Sequence, residues 1–429
     1  MSSQQFTPES RAKGCRLAND VFYGWWIVGI TGFLITLMSI SVFQGLGTLL
    51  VGLERHFGWS RTAMSGAFSL ARAEGAVLGP IEGFLIDRFG CRRLILVGYI
   101  IMGIGFLMFS QVDALWQFYV VFLVITLGGG LGGWLANVSL VNNWFDRRRS
   151  FALAAAMTGV HVGGFLVPVL AFGIDSHGFR WTTLGIGVFF LAIIGPVSKL
   201  IKNRPEDYGM RPDGEPLIEP DPDQVQAALD VEYEPDFTVA QALRTPVFYM
   251  ITVTHVSSSV SIVTLALHLV PKLIDTGFSL AAAGVVVLTY TAVAVPAQFA
   301  AGYIADRLPK PPVIFTLLIM QSTAILIIAV AETVQMVYLF AVLYGIGFGG
   351  RIPLLTAIRG DYFGRKAFAT IMGMSQLPSS LVMIGAPLFA GYMFDTTGSY
   401  AIPFITFAMF GFLGAFLMLL VRRPSAVPA

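Results

Sequence analysis

Twelve runs of about 20 apolar residues, separated by short polar breaks, decide what this chain can fold into. They fall near 24–50, 62–86, 93–111, 115–141, 151–173 and 181–201, then 246–272, 280–305, 311–331, 334–357, 367–392 and 400–421. An α-helix rises about 1.5 Å per residue, so a run of this length just crosses the hydrocarbon of a bilayer. In lipid the backbone must satisfy its own N–H and C=O groups, which leaves helices or closed barrels, and the alternation of barrel strands is absent. The expected fold class is therefore an all-α membrane protein with twelve transmembrane helices. Charge agrees: charged residues make up 12% of the chain, about half of what a soluble domain carries.

The basic residues orient the helices. With twelve crossings, both termini and the even-numbered breaks share one side. That side holds 21 of the 27 lysines and arginines, the other side holds 4, and Arg72 and Arg351 lie within runs. An excess of lysine and arginine marks the cytoplasm. The expectation is a multi-pass protein of a plasma membrane or bacterial inner membrane with both termini cytoplasmic. The polar N-terminal stretch lacks a short apolar core with a cleavage site, so the first crossing would itself direct insertion. Net charge is +2, giving no bulk attraction for nucleic acid. The two cysteines, Cys15 and Cys91, suggest neither a disulfide framework nor a metal site.

Residues 203–237 are rich in proline and acid and read as a mobile linker. Thr238 is placed to cap a short helix, VAQALR, leading into the seventh run. The chain thus divides into an N-terminal tail (1–20), a six-helix bundle (21–201), a linker (202–244), a second six-helix bundle (245–423) and a tail (424–429). The halves echo each other. Gly83-Phe84-Leu85-Ile86-Asp87-Arg88-Phe89-Gly90 closes the second run, and Gly302-Tyr303-Ile304-Ala305-Asp306-Arg307 closes the eighth. Glycine runs at 128–133 and 345–350 occupy matching places in the fourth and tenth. Two pseudo-symmetric bundles around a midplane site are the plan of alternating access.

The segment GFLIDRFGCRR, 83–93, resembles the loop motif that follows the second helix in the major facilitator superfamily, with Cys91 where a basic residue is common. Together with the degenerate second copy, the resemblance covers nearly the whole chain. It implies that superfamily's fold and a latch made by Gly83, Asp87, Arg88, Gly90 and Arg92, with Gly302, Asp306 and Arg307 as the second copy. Asp87, at a helix end, would pair with charges or helix dipoles of the other half. Asp20-Val21-Phe22-Tyr23-Gly24-Trp25-Trp26, and Trp144–Arg149 followed by Ala152, Gly159 and Gly163, resemble the monocarboxylate transporter and oxalate/formate antiporter branch. That branch often carries an aspartate and arginine inside its eighth helix; here the eighth run has no charge before Asp306.

Ionisable groups inside runs are costly and mark candidate sites. Arg351 follows a stretch of glycines in the tenth run, one of the cavity-lining helices in the superfamily it resembles, and a guanidinium suits a carboxylate. Arg72 is the second candidate cation. Glu74 lies two residues on, about 200° around the helix, so the two cannot pair directly. A carboxyl group desolvated near the midplane could load protons, which makes Glu74, Glu82 and His161 candidate coupling groups. His255, Ser258 and Ser259 can share a face of the seventh run, and Asn137, Tyr290 and Gln44 add polar candidates. Each also has a bland account: serines satisfy helix carbonyls, arginines snorkel, and Glu82 locks packing.

No nucleotide-binding motif, in-span metal motif or nucleophile–base pair is found. The expectation is a secondary active transporter, not an enzyme, without cofactor or bound metal, working as a monomer in membrane lipid. It would move a small organic anion by symport with protons or by exchange for a counter-substrate. A polyspecific exporter of amphipathic drugs, which the 35 phenylalanines permit, and a membrane ligand sensor are the alternatives.

Overall fold

The computed structural model is described over residues 22–59, 61–215 and 236–424, and the side chain of Arg72 is not among what it describes. The tails as expected from sequence, Cys15 among them, and linker residues 216–235 lie outside the described residues, save for Pro424. Span 1 runs as Tyr23–Met38, a π-helical turn at Ser39–Phe43, and Leu46–Phe57. Span 2 is Arg61–Phe89, span 3 Cys91–Phe109, and span 4 the pair Leu115–Gly132 and Trp134–Trp144. Span 5 begins as Arg149–Phe165 and continues past Leu166 into Val167–Leu200. Gly178, with φ +82°, breaks that helix, so that 179–200 forms span 6. The second half comprises span 7 (Pro246–Asp275), span 8 (Leu280–Ala305), span 9 (Lys310–Ala329), span 10 (Val334–Phe363), span 11 (Phe368–Thr397) and span 12 (Ala401–Leu419). All except span 2 lie in segments long and apolar enough to cross a bilayer. Span 2 carries five charged residues between 72 and 88 and packs against spans 4 and 11.

Local chemistry sets the ends. Thr245, Ser279 and Thr333 accept first-turn N–H groups through their hydroxyls at the starts of spans 7, 8 and 10. Thr238 caps Val239–Arg244 in a capping box with Gln241. Gly90 turns the chain between spans 2 and 3 at φ +84°, a conformation side chains resist. Two boundaries move farthest from their sequence expectation. Span 1 continues to Phe57, and span 10 runs to Phe363, because Arg359 is held against His255 and Asp361 is paired by Lys310 inside the protein, so neither needs a loop.

Each half has its own apolar core. From the second half the first-half cluster takes in Ala357, Phe368, Ala369 and Met372, with Ile352 packed against it, and the remaining clusters lie wholly in the second. Contacts between halves run through spans 2 and 11, 5 and 8, 5 and 10, and the latter part of span 4 with spans 10 and 11. They concentrate at the end of the molecule that carries most of the arginines, called here the arginine-rich end. Gly79 packs against Gly373 there, whereas Gly75, one turn farther along, faces open space. The bundles are closed at the arginine-rich end and part from each other beyond it.

The linker departs from expectation over 203–215. This stretch docks beneath the first bundle through two short 3-10 turns, Glu206–Tyr208 and Pro212–Gly214. The Asp213 carboxylate accepts the N–H groups of Asp146 and Arg147 at 3.0 and 2.7 Å. The Lys202 ammonium lies 4.0 and 4.1 Å from the ring centroids of Tyr23 and Tyr208. Composition signals a linker, but these specific anchors hold its first part in place.

Candidate functional site

Two carboxylates close the arginine-rich end. Asp87, at the end of span 2, accepts the N–H groups of Ala369 and Thr370 (3.2 and 2.8 Å) and the Thr370 hydroxyl (2.6 Å) at the start of span 11. Asp306, just past span 8, accepts the N–H groups of Ser150 and Phe151 (2.8 and 3.0 Å) at the start of span 5. The first N–H groups of a helix have no partner within it and carry the positive end of its dipole, so each carboxylate completes a helix of the opposite half. Burial pushes the Asp306 carboxyl above its usual range, against the opposing pull of those N–H groups and of Lys310. The glycines one turn earlier permit the approach: a methyl group at Gly83 would overlap the Ala369 carbonyl, and one at Gly302 would stand 2.9 Å from the Ser150 carbonyl oxygen.

The basic partners of these motifs sit outside the contact. Arg88 lies exposed over Phe84 and Phe89, Arg307 stacks 3.4 Å above Tyr303, and Arg92 meets Asn203 through its backbone N–H. Arg149, the last of three consecutive arginines, is fully buried and donates to Asp361 at 2.5 Å, and Lys310 also pairs with Asp361. Arg365 reaches from the second half to the Asn143 carbonyl and the Glu206 carboxylate.

Deeper in the membrane region, span 10 carries Arg351 with no exposed surface. Its Nη1 donates to Ser258 Oγ at 2.8 Å, while Nε and Nη2 have no partner among the described residues. The Ser258 hydroxyl in turn donates to the His255 carbonyl. Gln321 of span 9 donates to the Ser258 carbonyl and Ser261 hydroxyl, fixing this wall of the group. His255 Nδ1 lies 3.1 Å from Nη2 of Arg359, a second fully buried arginine. Ser259 is buried nearby, and Tyr290 packs edge-on against Tyr344 and Phe348. From the first half His161 meets Gln298 of span 8 at 3.3 Å, and its ring lies 6.2 Å from Phe348. Gln298 also donates to the Ala154 carbonyl, so this pair spans the interface between bundles.

The acidic candidates lie apart, between spans 2 and 4. Glu74 accepts from the Thr126 hydroxyl at 2.6 Å. Glu82 is 8% exposed, and its carboxylate occupies space left by Gly130, where any side chain would collide with it. Asn137 stands elsewhere and uses its amide on the break in span 4, donating to the carbonyls of Gly132 and Gly133 at 3.0 and 2.7 Å. Gln44 follows the π-turn of span 1, exposed beside Gly164. The side chain of Arg72 lies outside the described residues.

The structure therefore gathers Arg351, His255 and Ser258 in one network. It holds Glu74 and Glu82 on another face, and leaves Asn137 and Gln44 to separate places. Sequence reasoning missed Arg359, Gln298, Gln321 and Asp361. A signal for Arg359 existed: it sits in the apolar stretch Leu354-Leu355-Thr356-Ala357-Ile358, two turns beyond Arg351. Among the described residues, no group of three or more His, Cys, Asp or Glu side chains is placed to hold a metal ion.

Two helical bundles with separate cores, locked at one end by paired helix-capping carboxylates, define a secondary transporter of the alternating-access type. The chain belongs to the Major Facilitator Superfamily, whose family model matches residues 32–273 and 247–429. It is distantly similar to monocarboxylate transporters. With monocarboxylate transporter 11 of Mus musculus it shares 24% identity over 420 residues, covering 95% of this chain and 89% of that protein. The E. coli fucose:proton symporter FucP, in the outward conformation, superposes with a TM-score of 0.70 at 14% identity over 94% of this chain and 100% of that one. The human organic anion transporter MFSD10 gives 0.63 at 16% identity, over 92% and 99%.

Proposed function

We propose that this transporter carries a small organic anion bearing a carboxylate, coupled to protons or to a counter-anion, with its arginine-rich end in the cytoplasm. One observation carries the reading. Arg351 is a fully buried guanidinium with two unpaired nitrogens and, among the described residues, no carboxylate to neutralise it. A lone buried cation is expensive, and structural arginines in membranes pair or snorkel to the surface. A substrate anion supplies the missing charge and can take two parallel hydrogen bonds from the free edge. Similarity to proteins named for monocarboxylates, and the fold shared with an organic anion transporter, point the same way. The cytoplasmic assignment rests on the 21-to-4 division of basic residues. Glu74 and Glu82, facing span 4 beside the closing interface, are the proposed proton-coupling groups. In that role a carboxyl would load a proton in one state and release it in the other.

The test is flux into proteoliposomes under imposed pH gradients, with L-lactate, succinate and tetraphenylphosphonium as probes. Saturable acid uptake is expected, reduced about tenfold or more in Arg351→Gln, the worth of one charge-assisted hydrogen bond. Acid uptake unaltered by that change, or flux of the hydrophobic cation alone, overturns the reading, and the latter favours an amphiphile exporter.

A further inference from the structure

Arg359 has no part in the site proposed above. It lies on span 10, about 12 Å of helix rise nearer the arginine-rich end than Arg351. Only 1% of it is exposed. Its Nη1 donates to the Leu355 carbonyl at 2.6 Å, its Nη2 meets His255 Nδ1 at 3.1 Å, and its Nε has no partner among the described residues. No carboxylate pairs with it among the described residues. Snorkelling is a poor account of it. Four residues from the end of its helix, a guanidinium could reach water easily, yet this one turns inward against an imidazole. Packing alone would be served better by an apolar side chain, because a buried cation without a counter-charge destabilises.

The opposite half supplies a matching oddity. Asn142 of span 4 is fully buried against Gly360, and among the described residues neither its oxygen nor its nitrogen has a hydrogen-bond partner. The closed end thus presses an unsatisfied amide beside the helix turn that carries an incompletely satisfied guanidinium. Such groups go unpaired only at a cost, and a site that opens and fills is one reason for a fold to keep them.

We infer that Arg359, His255 and Asn142 form a second anion subsite, which takes the substrate carboxylate once the arginine-rich end opens. The inference rests on the organic-anion reading above. In the closed state Arg351 is the free cation farther from the gate, and Arg359 is sealed beneath it. When span 4 withdraws from span 10, the Asn142 amide loses its seat against Gly360, the residue next to Arg359. His255, accepting from Arg359 through Nδ1, has Nε2 left to donate. A carboxylate leaving Arg351 then moves along span 10 from one guanidinium to the next rather than across an apolar wall. Two cations on one helix, one per side of the gate, give each face of the membrane its own first contact with the anion.

The experiment compares right-side-out with inside-out membrane vesicles carrying the full chain, with L-lactate and succinate as probes. In Arg359→Gln, KM measured from the arginine-rich face should rise about tenfold or more, the worth of one charge-assisted bond. KM from the opposite face should stay near the unmodified value. Arg359→Lys should recover part of the loss, and Asn142→Ala should shift the same face by a smaller factor. Should Arg359→Gln not fold, Asn142→Ala carries the same one-sided expectation without removing a charge. Equal effects on both faces, or none on either, overturn the second subsite while leaving the transport reading intact. Absence of any anion flux in the unmodified protein overturns both.

Discussion

Replacing Asp306 by alanine should open the arginine-rich end, and the size of the effect follows from two hydrogen bonds. Asp306 accepts the N–H groups of Ser150 and Phe151 at 2.8 and 3.0 Å. These belong to the first turn of span 5, which offers them no internal acceptor. With alanine they are buried and unpaired while the halves are together, and hydrated once the halves part. Each unpaired buried donor costs about 1–3 kcal/mol. Alanine also ends the burial of a carboxylate whose charge the surroundings already oppose, which returns part of that cost. The balance is about 2 kcal/mol against closure, or about a 30-fold shift toward the open state. Cys91 reports it. It is 2% exposed, in a small pocket shared with Asp87, Arg365 and Phe368 at the other latch, so the substitution leaves its immediate chemistry alone. With Cys15→Ser it becomes the sole thiol. Maleimide labelling of Cys91 should accelerate by the same factor of about 30, since labelling follows the open fraction. An unchanged rate in a variant with normal helix content would refute the idea that these caps hold the gate.

Gly83→Val should prevent closure, since the new side chain meets the backbone of Ala369. Cys91 would label rapidly while the melting temperature changes little, because each half keeps its own core. Asn137→Ala removes the donor that bridges the break in span 4 and should cost about 1–2 kcal/mol, measured as a lower melting temperature with KM for the transported acid unchanged. Glu82→Gln should abolish accumulation driven by a pH gradient and spare exchange at equal pH; loss of both would remove Glu82 from coupling. The shut state holds the proton on Asp306 more tightly than a hydrated state does. Its contribution to closure is therefore full below the ordinary carboxylate pKa and fades as pH rises through the raised value. Spin labels at Arg147 and Leu308, on opposite walls of the groove between the halves, should draw together on acidification, with that response absent in Asp306→Asn.

Much of the architecture was legible because lipid leaves the backbone few options. Apolar run length placed span 8 at 280–305, where the structure has Leu280–Ala305, and the matched Gly-to-Asp endings of spans 2 and 8 pointed to two halves. What failed to show was anything decided by partners. Span 10 looked as if it ended near 357 because arginine and aspartate read as loop, yet Arg359 is held by His255, and Asp361 by Arg149 and Lys310. Arg149 sits in a run of three arginines, where sequence cannot tell the buried one from its exposed neighbours. The docked part of the linker depends on Asp213 meeting two N–H groups some 66 residues earlier in the chain, a relation composition does not encode. Arg351 stood out since it is charged in an apolar run; that no described carboxylate partners it is visible only in three dimensions.

The separateness of the two cores has a thermodynamic consequence. Most apolar side chains stay with their own bundle, and few, such as Phe368 and Met372, cross, so rocking the halves apart exchanges mainly helix caps, ion pairs and glycine-to-backbone contacts for water. Heat capacity changes scale with apolar surface newly wetted, at about 0.45 cal/mol/K per Å². The switch between states should therefore carry little heat-capacity change, and a plot of its equilibrium constant against reciprocal temperature should be nearly straight. Unfolding of either half, which wets its whole interior, would curve strongly on the same axes.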